Sequence, residues 1–339
     1  MRILLISPTM GGLGGIAQHV EELGEKLHER GFEVYYVTSN NTLVLRVRRL
    51  ANPSFALFAA LKVLGEKYDI IHAHNIPSAI PMRLASGRRI LTIHGIYSRQ
   101  VILLHGGAVG RAAGWLERRA IKWADAVTVV SREAAEAYSA MGFEVAHIPN
   151  AIDLKKLPSD GIRMGAPQVA YVGRLSREKG VDTLIKAAQL VGRARFIIVG
   201  SGPAEEGLRR AAHNLDNVTF LGAMSRWEAQ RIIRGSDIFV LPSRAEGLST
   251  ALLEAMAMRT PVVATNVGGN VELVSHMKTG LLVEPDSPQQ LAEAINTLLD
   301  DKELASRMAE EAYSLILREY SWDVVIGKYL ELYERVLTY

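Results

Sequence analysis

The chain of 339 residues contains no cysteine. That absence removes disulfides, thiolate metal sites and a cysteine nucleophile together, and it suits an intracellular protein. Aromatic residues are only 6% against 48% apolar residues overall, so the core must be built mainly from Leu, Ile, Val and Ala. No apolar run approaches the roughly 18 residues needed to cross a bilayer. Residues 1–8 hold one basic residue and a short apolar run, which is too short for a signal peptide and reads as a buried first strand. No Asp-x-Asp pair is available to hold a metal between phosphates. His72 and His74 sit at i and i+2 on a strand and need not share a site.

The length exceeds what one hydrophobic core usually carries, so two domains are expected. Net charge divides by half. Residues 1–159 hold 19 Lys/Arg and 13 Asp/Glu, while residues 160–339 hold 20 and 23, so the halves have different tasks. Short apolar runs at 3–7, 34–38, 70–73, 90–93 and 126–130 read as strands, with a helix at 16–30 and further helical patterns between most of them. Strands that are apolar throughout and separated by helices point to a parallel sheet covered on both faces. Residues 153–168, with two lysines, two prolines and two glycines, read as a linker. A second series of strands follows at 169–172, 196–199, 218–221, 238–241, 262–264 and 281–283. The expected fold is therefore α/β, two doubly wound Rossmann-like domains facing across a cleft, with ligands at the carboxyl ends of the strands. Val325, Tyr329, Leu332, Tyr333 and Val336 recur at helical spacing behind a Ser321 cap, so the tail is an amphipathic helix.

The strongest chemical signal is Glu246-Gly247-Leu248-Ser249-Thr250-Ala251-Leu252-Leu253-Glu254. Ser249 or Thr250 caps a helix, and the amides of Leu248, Ser249 and Thr250 then form an anion site at its N-terminus. Glu246 precedes the helix and Glu254 lies within it. A carboxylate accepts two hydrogen bonds and suits vicinal hydroxyls. Spacing alone also fits two solvated glutamates, but one set among Leu252, Leu253, Ala255 and Met256 needs a partner.

Gly173-Arg174-Leu175-Ser176-Arg177-Glu178-Lys179-Gly180 follows the second series' first strand, a phosphate-binding context in which Arg174 and Lys179 can meet an anion. Two ordinary surface cations in a turn are the alternative. Met10-Gly11-Gly12-Leu13-Gly14-Gly15 opens the first helix and lets backbone approach a ligand, or is a flexible turn. Its G-x-G-x-x-A spacing lacks the acidic residue that a dinucleotide site requires, since Thr38-Ser39-Asn40 ends the second strand. His94 ends a strand in Thr92-Ile93-His94-Gly95, where a lone histidine is more often structural than a ligand.

In order along nearly the whole chain, several motifs resemble the family 4 retaining glycosyltransferases, glycosyltransferase group 1, of GT-B fold. They are Gly14-Gly15, Asp69-Ile70-Ile71-His72-Ala73-His74, Thr92-Ile93-His94-Gly95, Ile148-Pro149-Asn150-Ala151-Ile152-Asp153, the Arg174/Lys179 loop, Glu246 through Glu254, and Gly268-Gly269 with Glu272. The resemblance implies an acceptor-side domain at 1–159, a nucleotide-sugar domain at 160–315, and a C-terminal helix within 316–339 crossing back to the first domain. It implies that Arg174 and Lys179 hold the donor diphosphate, Glu254 the ribose and Glu246 the sugar hydroxyls. His94 would lie near the sugar from the first domain, and Gly14-Gly15 near the diphosphate. Ala151 departs from the glycine usual in the family, which puts the shape of that turn in question.

The expected activity is transfer of a hexosyl group from a nucleotide-diphosphate sugar, most commonly a UDP-sugar, to a hydroxyl, with retention and with no cofactor or metal. A non-catalytic sugar-nucleotide-binding protein and a sugar-nucleotide epimerase are the alternatives. Residues 40–122 carry 13 Lys/Arg against three acids, among them Arg111, Arg118 and Lys122 beside Trp115 and Leu116. A lipid-linked or anionic glycan acceptor, with peripheral membrane contact through 40–122, fits that charge. No nucleic-acid motif accompanies it. The expected location is cytoplasmic, with the cytoplasmic face of a membrane weighed alongside.

Overall fold

A computed structural model describes every residue except 10–13, 46, 48–49, 97–106 and 339, and only the backbone at 107–109 and 112. The chain divides into two compact units, Met1–Asn150 with Trp322–Tyr339, and Ala151–Ser321.

The first unit holds a parallel sheet of β1 (Arg2–Ser7), β2 (Glu33–Thr38), β3 (Lys67–His74), β4 (Ser86–Ile93), β5 (Ala126–Val129) and β6 (Ala146–His147), in the order β2-β1-β3-β4-β5-β6. Successive side chains on a strand point to opposite faces, so each strand serves two layers. Leu4, Ile6, Ile71, Ala73, Leu91, Ile93, Val127 and Val129 pack on one side beneath α2 (Ala51–Val63), α3 (Ala79–Leu84), α4 (Gly107–Ile121) and α5 (Arg132–Ala140). The alternate positions include His72, His74, Thr92 and Thr128. His72 and Thr92 share their side with α1 (Gly15–His28) and the last helix, α13 (Trp322–Thr338), through contacts to Tyr333 and Tyr329.

Trp322, Val325, Tyr329, Leu332, Tyr333 and Val336 of α13 are all buried. Tyr329 and Tyr333 reach His19 and His72, and the Trp322 indole donates to the Glu22 carboxylate over 2.5 Å. The last helix therefore completes the first unit, as its apolar stripe requires.

In the second unit β7 (Gln168–Val172), β8 (Arg195–Val199), β9 (Val218–Gly222), β10 (Ile238–Leu241), β11 (Val262–Thr265) and β12 (Leu281–Val283) form a second parallel sheet, in the order β12-β11-β10-β7-β8-β9. Its helices are α6 (Val181–Leu190), α7 (Glu205–Ala211), α8 (Arg226–Arg234), α9 (Thr250–Ala257), α10 (Asn270–Leu273), α11 (Pro288–Asp300) and α12 (Lys302–Leu315). Strand order reverses between β7 and β10 here, and between β1 and β3 in the first unit. Ligands of doubly wound sheets bind beyond the carboxyl ends of strands at such points.

The stretch read as a linker is folded into the second unit. Ile152 pairs with Ser321, Asp153 caps a short turn over Leu154–Lys156, and the buried Gln168 side chain donates to Ser236 and Ile162. Residues 151–159 and 316–321, expected with the first domain, therefore belong to the second unit. Alanine at 151 is accommodated, because Ala151 is buried with no left-handed backbone.

Candidate active site

The second unit's site is assembled from the loops after β7 and β10, on either side of the reversal. Gly180 has φ +62, and a Cβ there would stand 2.0 Å from the Pro242 carbonyl oxygen, so only glycine lets the two loops meet. The Arg244 amide donates to the Glu178 carbonyl at 2.7 Å, and its guanidinium donates to the Arg177 carbonyl at 2.6 Å. Arg244 also pairs with Asp182 and Asp286, which raise its pKa further. This clamp places Lys179 on Glu246, Nζ to Oε2 2.5 Å, with the Ser243 hydroxyl donating to the same oxygen at 3.1 Å. Replacing Gly180 by Ala is expected to cost about 1–2 kcal/mol for the left-handed backbone alone, with the clash against Pro242 added. Urea unfolding measures it, and a Gly180→Ala protein as stable as the parent would show that the loops do not meet as described.

Arg174, in the same loop, is exposed; its carbonyl accepts from the Tyr171 hydroxyl at 2.9 Å, while its guanidinium has no hydrogen bond or ion pair among the described residues. Ser249 caps α9 by accepting from the Leu252 amide at 3.3 Å, Thr250 begins the helix, and Leu248 is buried beside it. A Cβ on Gly269 would stand 1.8 Å from the Gly247 carbonyl, so the loop after β11 also closes on this turn.

Glu254 is only 6% exposed, and its carboxylate oxygen Oε1 accepts from Arg226 Nε and Gln230 Nε2, each at 2.8 Å. The need for a partner was legible in the apolar helix around it. The partners were not, because both come from α8, 24 and 28 residues away.

In the first unit Gly14 precedes α1 and Gly15 begins it, after β1, while residues 10–13 of that loop lie outside the described residues. A Cβ on Gly14 would meet nothing within 4 Å, so backbone there is open to approach. His94 follows β4, is 8% exposed, and receives orientation from Asn75, whose Oδ1 accepts from the His94 amide at 3.1 Å.

His94 is not alone. Its Nε2 lies 3.2 Å from His74 Nδ1, His74 stacks on His72 with ring centroids 4.4 Å apart, and His19 packs edge-on against both His74 and His94. His72 Nε2 shares a 2.6 Å hydrogen bond with Thr92, and its Nδ1 a 2.7 Å bond with the Tyr333 hydroxyl. His72 and His74 stack because i and i+2 on a strand point to the same face, yet His72 stays outside the set of nitrogens that come together, in line with the expectation that the two need not share a site. Burial lowers all four imidazole pKa values. His94 falls to about 4, with an Asn150 hydrogen bond acting the other way, and His72 to about 3, with the nearby His94 adding to the shift. His19 and His74 fall well below the ordinary value, chiefly by burial and then by their histidine neighbours. These rings are neutral at pH 7.

His19, His74 and His94 offer nitrogens all within 4.8 Å of one another, the set among the described residues with the donor chemistry of a metal site. His74 and His94 each turn a nitrogen towards the other, and His19 one towards Tyr329, so hydrogen bonding already occupies part of that set.

On α4 Trp115 is exposed while Leu116 packs against the core, and Arg111, Arg118 and Lys122 are exposed. Within the segment 40–122 expected to contact a membrane, residues 46, 48–49 and 97–106 lie outside the described residues.

Comparison with known proteins accords with this arrangement. Residues 154–315 match the family "Glycosyl transferases group 1", and residues 13–156 match "Glycosyltransferase Family 4". The chain is 33% identical to the GDP-mannose-dependent alpha-(1-6)-phosphatidylinositol monomannoside mannosyltransferase of Mycobacterium tuberculosis, over 83% of this chain and 82% of that one. Its fold matches that of sucrose-phosphate synthase from Thermosynechococcus elongatus with a TM-score of 0.83, covering 99% of both chains at 24% identity. The Anabaena protein HepE, in complex with UDP-glucose, matches with a TM-score of 0.78 over 99% of this chain and 100% of that one, at 21% identity. With both sheets, the ordered motifs and a 33% identical relative spanning most of its length, this chain belongs to the family 4, group 1 glycosyltransferases.

Proposed function

We propose that the protein moves a hexosyl group from a nucleotide-diphosphate sugar to a hydroxyl acceptor, retaining the anomeric configuration and using no metal. The observation that carries this reading is the second unit's loop pair, where unpaired Arg174 and the Lys179–Glu246 pair stand together at the strand reversal. Arg174 and Lys179 stabilise the charge that builds on the diphosphate as it leaves, in the place a divalent cation would take. Lys179 is pulled between the phosphate and Glu246, so it holds Glu246 in position to accept from sugar hydroxyls. Glu254, fixed by Arg226 and Gln230, accepts from the ribose.

The bond from the anomeric carbon to the diphosphate oxygen breaks through an oxocarbenium-like state. The acceptor oxygen bonds the same carbon on the same face, and its proton passes to the departing phosphate. Neutral His94 can hydrogen-bond but brings no charge to this step. The relative named as GDP-mannose-dependent and the neighbour bound to UDP-glucose support a nucleotide-sugar donor, and a UDP-sugar is the first to test. A lipid-linked or anionic glycan is the acceptor class that the basic first unit favours.

The deciding experiment incubates the protein with a panel of sugar nucleotides and acceptors, measures nucleoside diphosphate release, and determines the product's anomeric configuration by NMR. Release persists in EDTA, because two cations and a helix N-terminus meet the phosphate charge. Loss of release in EDTA with recovery on adding manganese would overturn metal independence, and release with no glycosylated product would overturn the transfer reading.

A further inference from the structure

The side of the first unit covered by α2, α3 and α4 carries an outward composition that the transfer chemistry does not use. α2 buries Phe55, Ala59 and Val63 in the core, yet Leu57 and Leu61 are each 58% exposed, and Leu64 just beyond its end is 54% exposed. With Leu50 at the N-cap, also exposed, these positions recur at 7, 4 and 3 residues and form one stripe. A helix apolar on all sides is ordinarily buried on all sides, and this one leaves a stripe to water. α3, packed against α2, adds exposed Ile80 and Leu84 with Arg83 between them. On α4 and one residue past its end, the exposed residues Arg111, Trp115, Arg118 and Lys122 recur at 4, 3 and 4 residues, a basic stripe with a 66% exposed tryptophan within it. Single exposed leucines are ordinary, but an apolar set gathered on neighbouring helices marks an interaction surface.

Charge identifies the partner. No Asp or Glu occurs from residue 34 to 65 or from 70 to 116. The acid on α4, Glu117, is buried and accepts from the Tyr138 hydroxyl at 2.5 Å. A surface of exposed leucine, isoleucine and tryptophan among cations, with no exposed acid on α2, α3 or α4 among the described side chains, complements the headgroup region of an anionic bilayer.

We infer that this side of the first unit docks on an anionic lipid bilayer, with Leu57, Leu61, Leu64 and Leu84 in the headgroup–acyl boundary and Arg111, Arg118 and Lys122 on lipid phosphates. Trp115 sits at the interface, its ring in the apolar layer and its N–H towards water. The docking extends the proposed lipid-linked acceptor to a location on the fold. It needs only these helices, so its failure would leave the transfer reading standing.

The test is co-sedimentation of the full chain with vesicles of phosphatidylcholine alone and of phosphatidylcholine mixed with phosphatidylglycerol, at low and high salt. Binding is expected to be stronger on the anionic vesicles and to weaken with salt. The triple variant Arg111→Gln, Arg118→Gln, Lys122→Gln loses about a hundredfold in binding to anionic vesicles, at about fivefold per cation, and loses the preference for them. The triple variant Leu57→Gln, Leu61→Gln, Leu64→Gln weakens binding to both kinds of vesicle. Both variants keep the parent's melting temperature and nucleoside diphosphate release with a water-soluble acceptor, since all six residues are exposed. Equal binding to neutral and anionic vesicles, no binding to either, or unchanged binding in both variants overturns the inference. So does a dimer that the leucine variant converts to monomer without any vesicle binding, which would assign the face to a second copy of the chain.

Discussion

Arg174→Ala is expected to lower kcat about 100- to 1,000-fold while leaving stability unchanged, the size of effect seen when one preorganised donor to a developing anion is removed. The two halves of that expectation have separate causes. The side chain is exposed and unpaired among the described residues, so nothing in the folded protein loses a partner, and surface changes of this kind stay within about 0.5 kcal/mol. The catalytic loss follows because Lys179 is already paired with Glu246, which leaves the Arg174 guanidinium as a loop cation with no ion pair among the described residues. Lys179→Ala differs. It lowers kcat too, but it also strips a mostly buried carboxylate of its cation, leaving the Ser243 hydroxyl among the contacts described above, at a cost of about 1–3 kcal/mol. Steady-state kinetics with saturating donor, beside urea unfolding of each variant, separates the two. Parental turnover in Arg174→Ala would show that the loop does not meet the diphosphate.

The contrast between those variants marks where sequence reading stops. Strand positions were legible because an apolar run bounded by turn residues has few other uses. Residues 238–241 and 281–283 coincide with β10 and β12, and the other strands expected agree within a few residues. β6 escaped notice because it is two residues long and half-buried at a sheet edge. The loops that carry Arg174, Lys179 and Glu246 were legible as a strand–glycine–helix context. Their pairing was not, because Lys179 and Glu246 are 67 residues apart and meet only through the strand order. The same holds for Glu254 with Arg226 and Gln230. The histidines were harder still. His19, His72, His74 and His94 come from a helix, one strand and the turn after another, and each read singly is an ordinary buried histidine. Strand periodicity would have put His72 and His74 on one face, but only the register of β3 with β4 and the return of α13 bring the set together.

That set predicts a steep loss of first-unit stability in mild acid. A histidine whose pKa is depressed in the folded protein binds its proton more readily when unfolded. Its stabilising contribution is complete above the ordinary value near 6.5 and is lost as pH falls towards the folded value. For His94 and His72 the window runs from 6.5 down to about 4 and about 3. Each proton taken up on unfolding costs about 1.4 kcal/mol per pH unit, so two histidines give a slope of about 2.7 kcal/mol per pH unit near pH 5. His19 and His74, shifted the same way, steepen it. Across the window this reaches several kcal/mol, which rivals the whole stability of a domain at about 5–15 kcal/mol. No relief is available locally, since the hydroxyls of Tyr329 and Tyr333 are themselves held neutral by burial. The second unit responds in the same direction but at lower pH. Asp182 and Asp237 have carboxyl pKa values held down by hydrogen bonds from Arg244 and from Gln168 and Arg163, against the opposing effect of burial. Their contributions persist until the pH falls below the ordinary carboxylate range. Urea unfolding followed by tryptophan fluorescence, where Trp322 is a fully buried reporter in the first unit, should show stability falling between pH 7 and 5 with uptake of at least two protons. His72→Asn, which keeps a side chain able to bond Tyr333 and Thr92, should reduce that uptake by about one proton. A profile that is flat over this range would mean that the four imidazoles are not buried together.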